Sequence, residues 1–160
     1  MSPRAASRLE SIGFTRVYDY VAGKADWGSF GLPLEGQNDS RARAASIARA
    51  EAPTCQLDEQ VAEVGARLPP DWDICVVANE KRVVLGLLGR QALRAGGDVR
   101  VEEAMTPAPS TIRPTARLDA IANRMRDENL TRLLVTRSDG VLVGVLRHED
   151  VESALLLKGN

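Results

Sequence analysis

Between Ala52 and Leu157 the sequence passes twice through the same succession of elements, and a duplication of this kind restricts the fold to one built from two similar halves. The first copy opens at Ala52-Pro53-Thr54-Cys55. Val61, Val64 and Leu68 then recur at spacings of three and four, the mark of an amphipathic helix, which Pro69-Pro70 ends. An apolar strand over Ile74–Ala78, a turn through Asn79–Arg82, a second strand over Val83–Leu88 and a helix from Gly89 to about Ala95 follow. The second copy opens at Ala108-Pro109-Ser110-Thr111. Its helix carries Leu118, Ile121, Ala122 and Met125, with Thr115 as expected N-cap. Strands over Leu133–Thr136 and Val141–Leu146 and a helix from His148 to about Leu157 complete it. Gly86 and Gly144 lie 58 positions apart, as do Val77 and Val135, while Cys55 and Thr111 lie 56 apart, which places two extra residues in the second copy's first helix. The order is β-α-β-β-α, twice, an α+β fold.

The chain ahead of the repeats reads differently. Ala6, Leu9 and Ile12 sit at helical spacing in residues 3–12 and stop before Gly13. Phe14 to Val21 begins as an apolar–polar alternation that suits a strand, and turn-rich chain with Trp27 and Gly31-Leu32-Pro33 follows. This helix–strand unit resembles the C-terminal tail of a rhodanese (sulfurtransferase) domain over residues 3–36, through Gly13-Phe14, Val17-Tyr18, Gly23, Trp27 and Gly31-Leu32-Pro33. In that family the nucleophilic cysteine precedes the matching helix, where this chain has Met1-Ser2-Pro3, so sulfur transfer is not expected. After a polar break at Glu35–Ser40, the Ala- and Arg-rich run Ser40–Ala52 is expected as a helix capped by Asp39 or Ser40 and ended by Pro53. Its three arginines suit a solvated face better than a phosphate site.

Composition narrows the function. A net charge of −1 among 160 residues disfavours nucleic acid and anionic membrane surfaces, and 4% aromatics leaves too few rings for base stacking. No apolar run approaches the roughly 20 residues that span a bilayer, and Met1–Glu10 has no leader-like apolar stretch, so a cytoplasmic protein is expected. Cys55 and Cys75, each beside apolar residues, are expected as buried reduced thiols. With His148 the only histidine, a metal site is not expected, and no nucleophile–base–orienter set supports catalysis.

The repeat, with a Gly inside its last strand and a polar loop before its last helix, resembles the CBS (cystathionine-β-synthase-type) domain over about residues 40–157. In the second copy the resemblance rests on Met105-Thr106, Thr111-Ile112, Leu133–Val135, Asp139-Gly140, Gly144-Val145-Leu146 and Asp150, and in the first on Pro53-Thr54-Cys55, Ile74–Val77 and Gly86-Leu87-Leu88. It implies a pseudo-two-fold module of two repeats, with residues 1–38 as the leading segment, 39–98 as the first repeat with its helix and 99–160 as the second. It also implies homodimers, no catalysis and no required cofactor.

The chemistry expected at Thr131–Asp150 follows from the residues. A ribose wants a carboxylate for its vicinal hydroxyls, a phosphate wants the free N–H groups of a helix start and a cation, and a base wants apolar side chains at a strand end. In the second copy Asp150 would hold the ribose and Arg147 the phosphate. Thr111, Ile112 and Leu133 would form the base pocket, with Arg132 alongside. The family's adenosyl-binding members show Gly-x-apolar-Ser/Thr-x-x-Asp in this position. Here Gly144-Val145-Leu146-Arg147-His148-Glu149-Asp150 keeps the Asp and replaces the hydroxyl residue by Arg147, whereas the first copy has Ala92 in place of the Asp. One site per chain is therefore expected, for AMP, ADP, ATP or S-adenosylmethionine, with its output read by a separate protein partner. Two alternatives stay open. In one, Asp150 serves only as a first-turn acid favoured by the helix dipole, and in the other the pair is a ligand-free scaffold.

Overall fold

The computed structural model describes residues 3–18, 20, 23–30, 32 and 42–157, and the chain divides into two units, Met1–Asn38 and Asp39–Asn160. In the first, helix α1 (Pro3–Ser11) ends as its sequence requires. Gly13 takes φ 99°, and the N–H groups of Gly13 and Phe14 return to Glu10 and Leu9 carbonyls at 3.1 and 3.2 Å. The strand expected over Phe14–Val21 is not formed among the described residues. Alternation alone does not make a strand, whose N–H and C=O groups need a neighbouring strand, and this unit's described residues supply none. Phe14 and Tyr18 stand largely exposed instead. Where turn-rich chain was expected, helix α2 (Gly23–Ser29) forms, and Trp27 meets Tyr20 edge to face at 5.4 Å.

The second unit holds the repeats. The first comprises β1 (Thr54–Cys55), α3 (Val61–Ala66), β2 (Cys75–Ala78), β3 (Val84–Leu88) and α4 (Arg90–Ala95). A short helix α5 (Val101–Ala104) and strand β4 (Thr106–Pro107) follow. The second repeat comprises β5 (Thr111–Ile112), α6 (Leu118–Asp127), β6 (Arg132–Thr136), β7 (Leu142–Arg147) and α7 (His148–Leu156). The first sheet runs β1-β2-β3-β4 and the second β5-β6-β7, each with a parallel first pair and antiparallel pairing thereafter. Both central strands carry a register shift at the same place, between Val77 and Ala78 and between Val135 and Thr136. Thr54 pairs with Val76 and Thr111 with Leu134, so Thr54 rather than Cys55 is the counterpart of Thr111, and one residue rather than two is inserted before β6.

Side chains along the central strands alternate between two cores, as pleating dictates. Cys75 and Val77 face the first repeat's helix side with Val61 and Val64. Leu133 and Val135 face the second repeat's with Leu118, Ile121 and Met125. Between the repeats, Ile74, Val76 and Trp72 meet Leu134, Leu142 and Val145 in a third core. The pseudo-two-fold relation is visible in the backbone, where Val84 donates to the Gly140 carbonyl at 3.1 Å and Leu142 to the Arg82 carbonyl at 2.9 Å.

The run Ser40–Ala52, expected as a helix, is not one. Ser40 and Arg41 lie outside the described residues. From Ala42 onward the chain makes one 3-10 turn (Ala44–Ser46) between isolated bridges of Arg43 to Arg117 and Arg49 to Val145. Helix propensity favours Ala and Arg by only tenths of a kcal/mol per residue. Here it yields to tertiary hydrogen bonds from the Ala44 and Ala45 amides to the Ala116 and Pro114 carbonyls, at 2.8 and 2.9 Å. The same strap takes the first amide of α6, Leu118 donating to the Ala42 carbonyl at 3.1 Å, so the N-cap is Arg117 and not Thr115, with no side-chain cap. The segment ahead of β5 mirrors it. Val61 donates to the Val99 carbonyl at 3.0 Å, and β4 pairs along β3. Each leading segment thus completes the other repeat's sheet and core, Ala44 lying in the second helix-side core and Val101 in the first.

Candidate functional site

Helix α7 starts directly from β7 at an N-cap, Arg147, held extended at φ −99° and ψ 144° with no side-chain cap. Its first amide, His148 N–H, donates to the Thr131 carbonyl at 3.0 Å, which ties the helix start to the chain entering β6. Thr131, Arg132, Arg147, His148 and Glu149 line a cleft of about 250 Å³ at this junction. That is slightly below the roughly 300–1,000 Å³ usual for small-molecule sites.

Two arginines dominate it. Register pairs Arg132 with Arg147 across β6 and β7, and both reach toward the loop between α3 and β2 in the other repeat. Arg147 is only 11% exposed. Its guanidinium carbon lies 4.7 Å over the Trp72 ring and its Nη2 donates to the Asp71 carbonyl at 2.6 Å, with the Asp71 and Glu149 carboxylates at 3.5 and 3.6 Å. Arg132 pairs with Asp73, which Arg90 at the start of α4 also grips, its Nε at 2.9 Å. Burial pushes the Asp73 carboxyl up, but the Arg90 and Arg132 guanidiniums outweigh that and hold it below the usual range. The Nε atoms of Arg132 and Arg147 are both buried without an acceptor.

Asp150 follows in the first turn of α7. Arg49 of the leading strap grips it in a fork, Nε to Oδ2 at 2.7 Å and Nη2 to Oδ1 at 2.8 Å. Those hydrogen bonds hold the Asp150 carboxyl below its ordinary value.

Of the six residues expected to bind ligand, the structure brings Arg132 and Arg147 together in the cleft and sets Asp150 one turn along. Thr111 and Ile112 stand on β5, on the far side of β6 from β7. Leu133 is 2% exposed within the helix-side core, on the face of β6 opposite Arg132, because neighbouring residues of a strand point to opposite faces. It packs there with Ile112, its expected neighbour, and away from the cleft that Arg132 lines. His148 lies at the helix start with Nε2 3.6 Å from Glu152. Arg49, Trp72 and Asp73, which hold Asp150, Arg147 and Arg132, were not among the expected residues. The available signal was the acidic-aromatic triplet Asp71-Trp72-Asp73 after Pro69-Pro70, where the second copy has Asn129-Leu130-Thr131.

Cys55 and Cys75 are free and buried, and the hydrogen bond with Cys55, with burial, pushes the Cys75 thiol up. Among the described residues no group of three or more His, Cys, Asp or Glu side chains could hold a metal ion. No described helix is long and apolar enough to cross a membrane.

Comparison with known proteins places the fold. Residues 101–157 match the model of the CBS domain. The match begins at α5, so the leading α5–β4 segment counts with the second repeat in sequence while its strand pairs with the first. No curated protein sequence matches the chain. Among solved structures, the chain is similar to the cytosolic domain of the Mg2+ channel MgtE in complex with ATP. Identity is 25% over 70% of this chain and 48% of that one, with a TM-score of 0.64, so it spans about half the length of that protein. CBSX2 in complex with AMP shares 18% identity over 74% of this chain and 98% of that one, with a TM-score of 0.66. The CBS domain pair of protein MJ0100, in complex with 5′-methylthioadenosine and S-adenosyl-L-methionine, shares 18% identity over the same shares at a TM-score of 0.64. The fold of the paired repeats is that of CBS pairs. The resemblance of residues 3–36 to a rhodanese tail is not shown by these comparisons.

Proposed function

We propose that the paired repeats form a non-catalytic regulatory module that binds an adenine nucleotide, or a related adenosyl ligand such as S-adenosylmethionine, at the second CBS repeat. The observation that carries the reading is the cleft at the β7–α7 junction. There a helix start, two arginines with buried unpartnered Nε atoms and the first-turn acid Asp150 lie within one short stretch. Solved relatives of the same fold are complexes with ATP, AMP and S-adenosyl-L-methionine, which supports the ligand class. The signal would pass through the arrangement of a homodimer to a separate protein partner, since a ligand shifts an equilibrium only by binding two states unequally. Titration calorimetry with AMP, ADP, ATP and S-adenosylmethionine is the test. Binding below millimolar that is lost in Asp150→Ala and weakened in Arg132→Ala is expected. No binding by any of the four would sink the reading.

A second reading, a scaffold whose sites no longer bind ligand, is favoured by one specific observation. Arg147 and Asp150 already have protein partners, Trp72 with Asp71 and Arg49. Under it, a protein partner stays bound with no nucleotide present.

A further inference from the structure

Asp150 is the acid that the second repeat keeps and the first lacks, Ala92 standing in its place. Both of its oxygens accept from Arg49, a residue 101 positions earlier in the chain. The Arg49 backbone is fixed as well. It exchanges both hydrogen bonds with Val145, at 2.9 and 3.1 Å, and packs flat against Gly144. The first repeat has no counterpart of this fork at the equivalent edge position, where Thr106 lies beside Leu87. A vicinal diol binds a carboxylate by donating to its two oxygens, the same two atoms that the guanidinium fork uses. Diol and Arg49 therefore compete for one acceptor.

We propose that Arg49 is a built-in occupant of the Asp150 acceptor, so that a diol-bearing ligand binds there only by displacing Arg49 and loosening the strap from the edge of β7. The proposal rests on the reading of the second repeat as a nucleotide site and names what limits it. Arg49 is also the part of the leading strap whose release would carry a binding event to chain outside the cleft. The strap runs from Ala42 through the bridges at Arg43 and Arg49, both on the second repeat, so losing the Arg49 anchor leaves it held at one end.

The test uses the full chain and AMP as probe, with Arg49→Met, Arg49→Lys, Asp150→Asn and the double variant Arg49→Met/Asp150→Asn. Arg49→Met keeps length and removes the fork. It is expected to bind AMP roughly fivefold more tightly than wild type or better, the scale of a partly exposed ion pair. The gain should vanish in the double variant, and Arg49→Lys, which keeps charge but cannot fork, should fall between. In wild type, saturating AMP should speed hydrogen exchange at the Arg49 and Val145 amides. Thermal melts establish that the variants are folded, and Arg49→Lys carries the comparison if Arg49→Met is not. If wild type binds AMP through Asp150 but Arg49→Met binds no more tightly, or more weakly, Arg49 is an aid to binding and the proposal is overturned while the site stands. If only Arg49→Met binds AMP, the occupant is confirmed and wild type is the ligand-free scaffold. If neither binds, freeing Asp150 makes no acceptor, and both readings fall.

Discussion

The carbonyl oxygen of Arg49 lies 2.7 Å from the place a Cβ on Gly144 would occupy, with the Ala48 Cβ at 3.1 Å. Gly86 has the corresponding relation to the other leading segment, where an added Cβ would run into the Met105 sulfur and stand 3.1 Å from the Thr106 carbonyl. The glycine in each repeat's last strand is thus there for close passage of the other repeat's strap, and not for its backbone freedom.

The two positions differ in what must give way. At Gly144 the obstruction is backbone, held by two hydrogen bonds. At Gly86 the closest atom is the end of a flexible methionine side chain. Gly144→Ala is expected to destabilise the fold by about 1–3 kcal/mol, the range for forced overpacking, and Gly86→Ala by less. Urea unfolding of both variants checks the order, and equal losses would contradict it.

Arg147 is expected to act as a fastener between repeats whatever it does for a ligand. Its guanidinium stacks on Trp72, itself 5% exposed, and donates to the Asp71 carbonyl. A desolvated stack of this kind contributes about 1–2 kcal/mol. Arg147→Ala should lose about that much, and Arg147→Lys should recover only part of it, because an ammonium keeps a charge near the ring but neither lies flat on it nor forks. Denaturant midpoints for the two variants, compared with Trp72→Leu, measure it.

These sites also show how far the residues alone can be read. Strands and helices of both repeats were legible because Val and Leu runs such as Ile74–Ala78 and Val141–Leu146 are buried by the order of the chain itself, and Gly86 and Gly144 fixed their alignment. The strap was not. Ala- and Arg-rich sequence at 42–52 favours a helix locally, and distant partners, the Pro114 and Ala116 carbonyls and the edge of β7 at Val145, decide otherwise. The Asp150 acid was legible as a first-turn residue, but its partner was not, since nothing in the spacing of Arg49 and Asp150 marks them as a pair. Leu133 was expected to line a base pocket with Thr111 and Ile112, and pleat parity sets it beside Ile112 on the face of β6 opposite Arg132.

Stability should fall on the acid side, with a definite sign. Asp73, Asp150 and Glu59 all have carboxyls held below their ordinary values in the folded chain, Asp150 by Arg49 and Glu59 by Arg67. A group whose folded pKa is depressed binds fewer protons folded than unfolded. Its contribution is therefore complete above the unfolded value of about 4 and is lost as pH falls through the folded one. The urea midpoint should hold between about pH 5 and 8 as far as these groups are concerned, and drop from about pH 4.5 downward. Asp73→Asn should be less stable at pH 7 and lose less on acidification. An Asp73→Asn curve parallel to wild type would contradict the assignment.

The exchange of edge segments makes the two repeats depend on one another in a way that cleavage can expose. Val101 fills the first repeat's core and β4 closes its sheet, yet both lie beyond the Gly96-Gly97 turn, which takes φ 57° and 102°. Ala44 and Arg49 serve the second repeat in the same manner from the far end of the chain. The inter-repeat core through Trp72, Val76, Leu134 and Val145 adds apolar surface that neither half could leave in water. A protease site inserted between Gly96 and Gly97 should therefore be cut without separating the pieces, which should elute together in gel filtration and retain the far-UV spectrum of the intact chain. Expressed apart, a fragment ending at Gly96 lacks both β4 and Val101, and a fragment starting at Gly97 lacks the strap that bonds the first amide of α6. Neither is expected to show a cooperative melt alone, and mixing them should restore one. A fragment that melts cooperatively without its partner would show that the strap exchange is decoration on two self-sufficient domains.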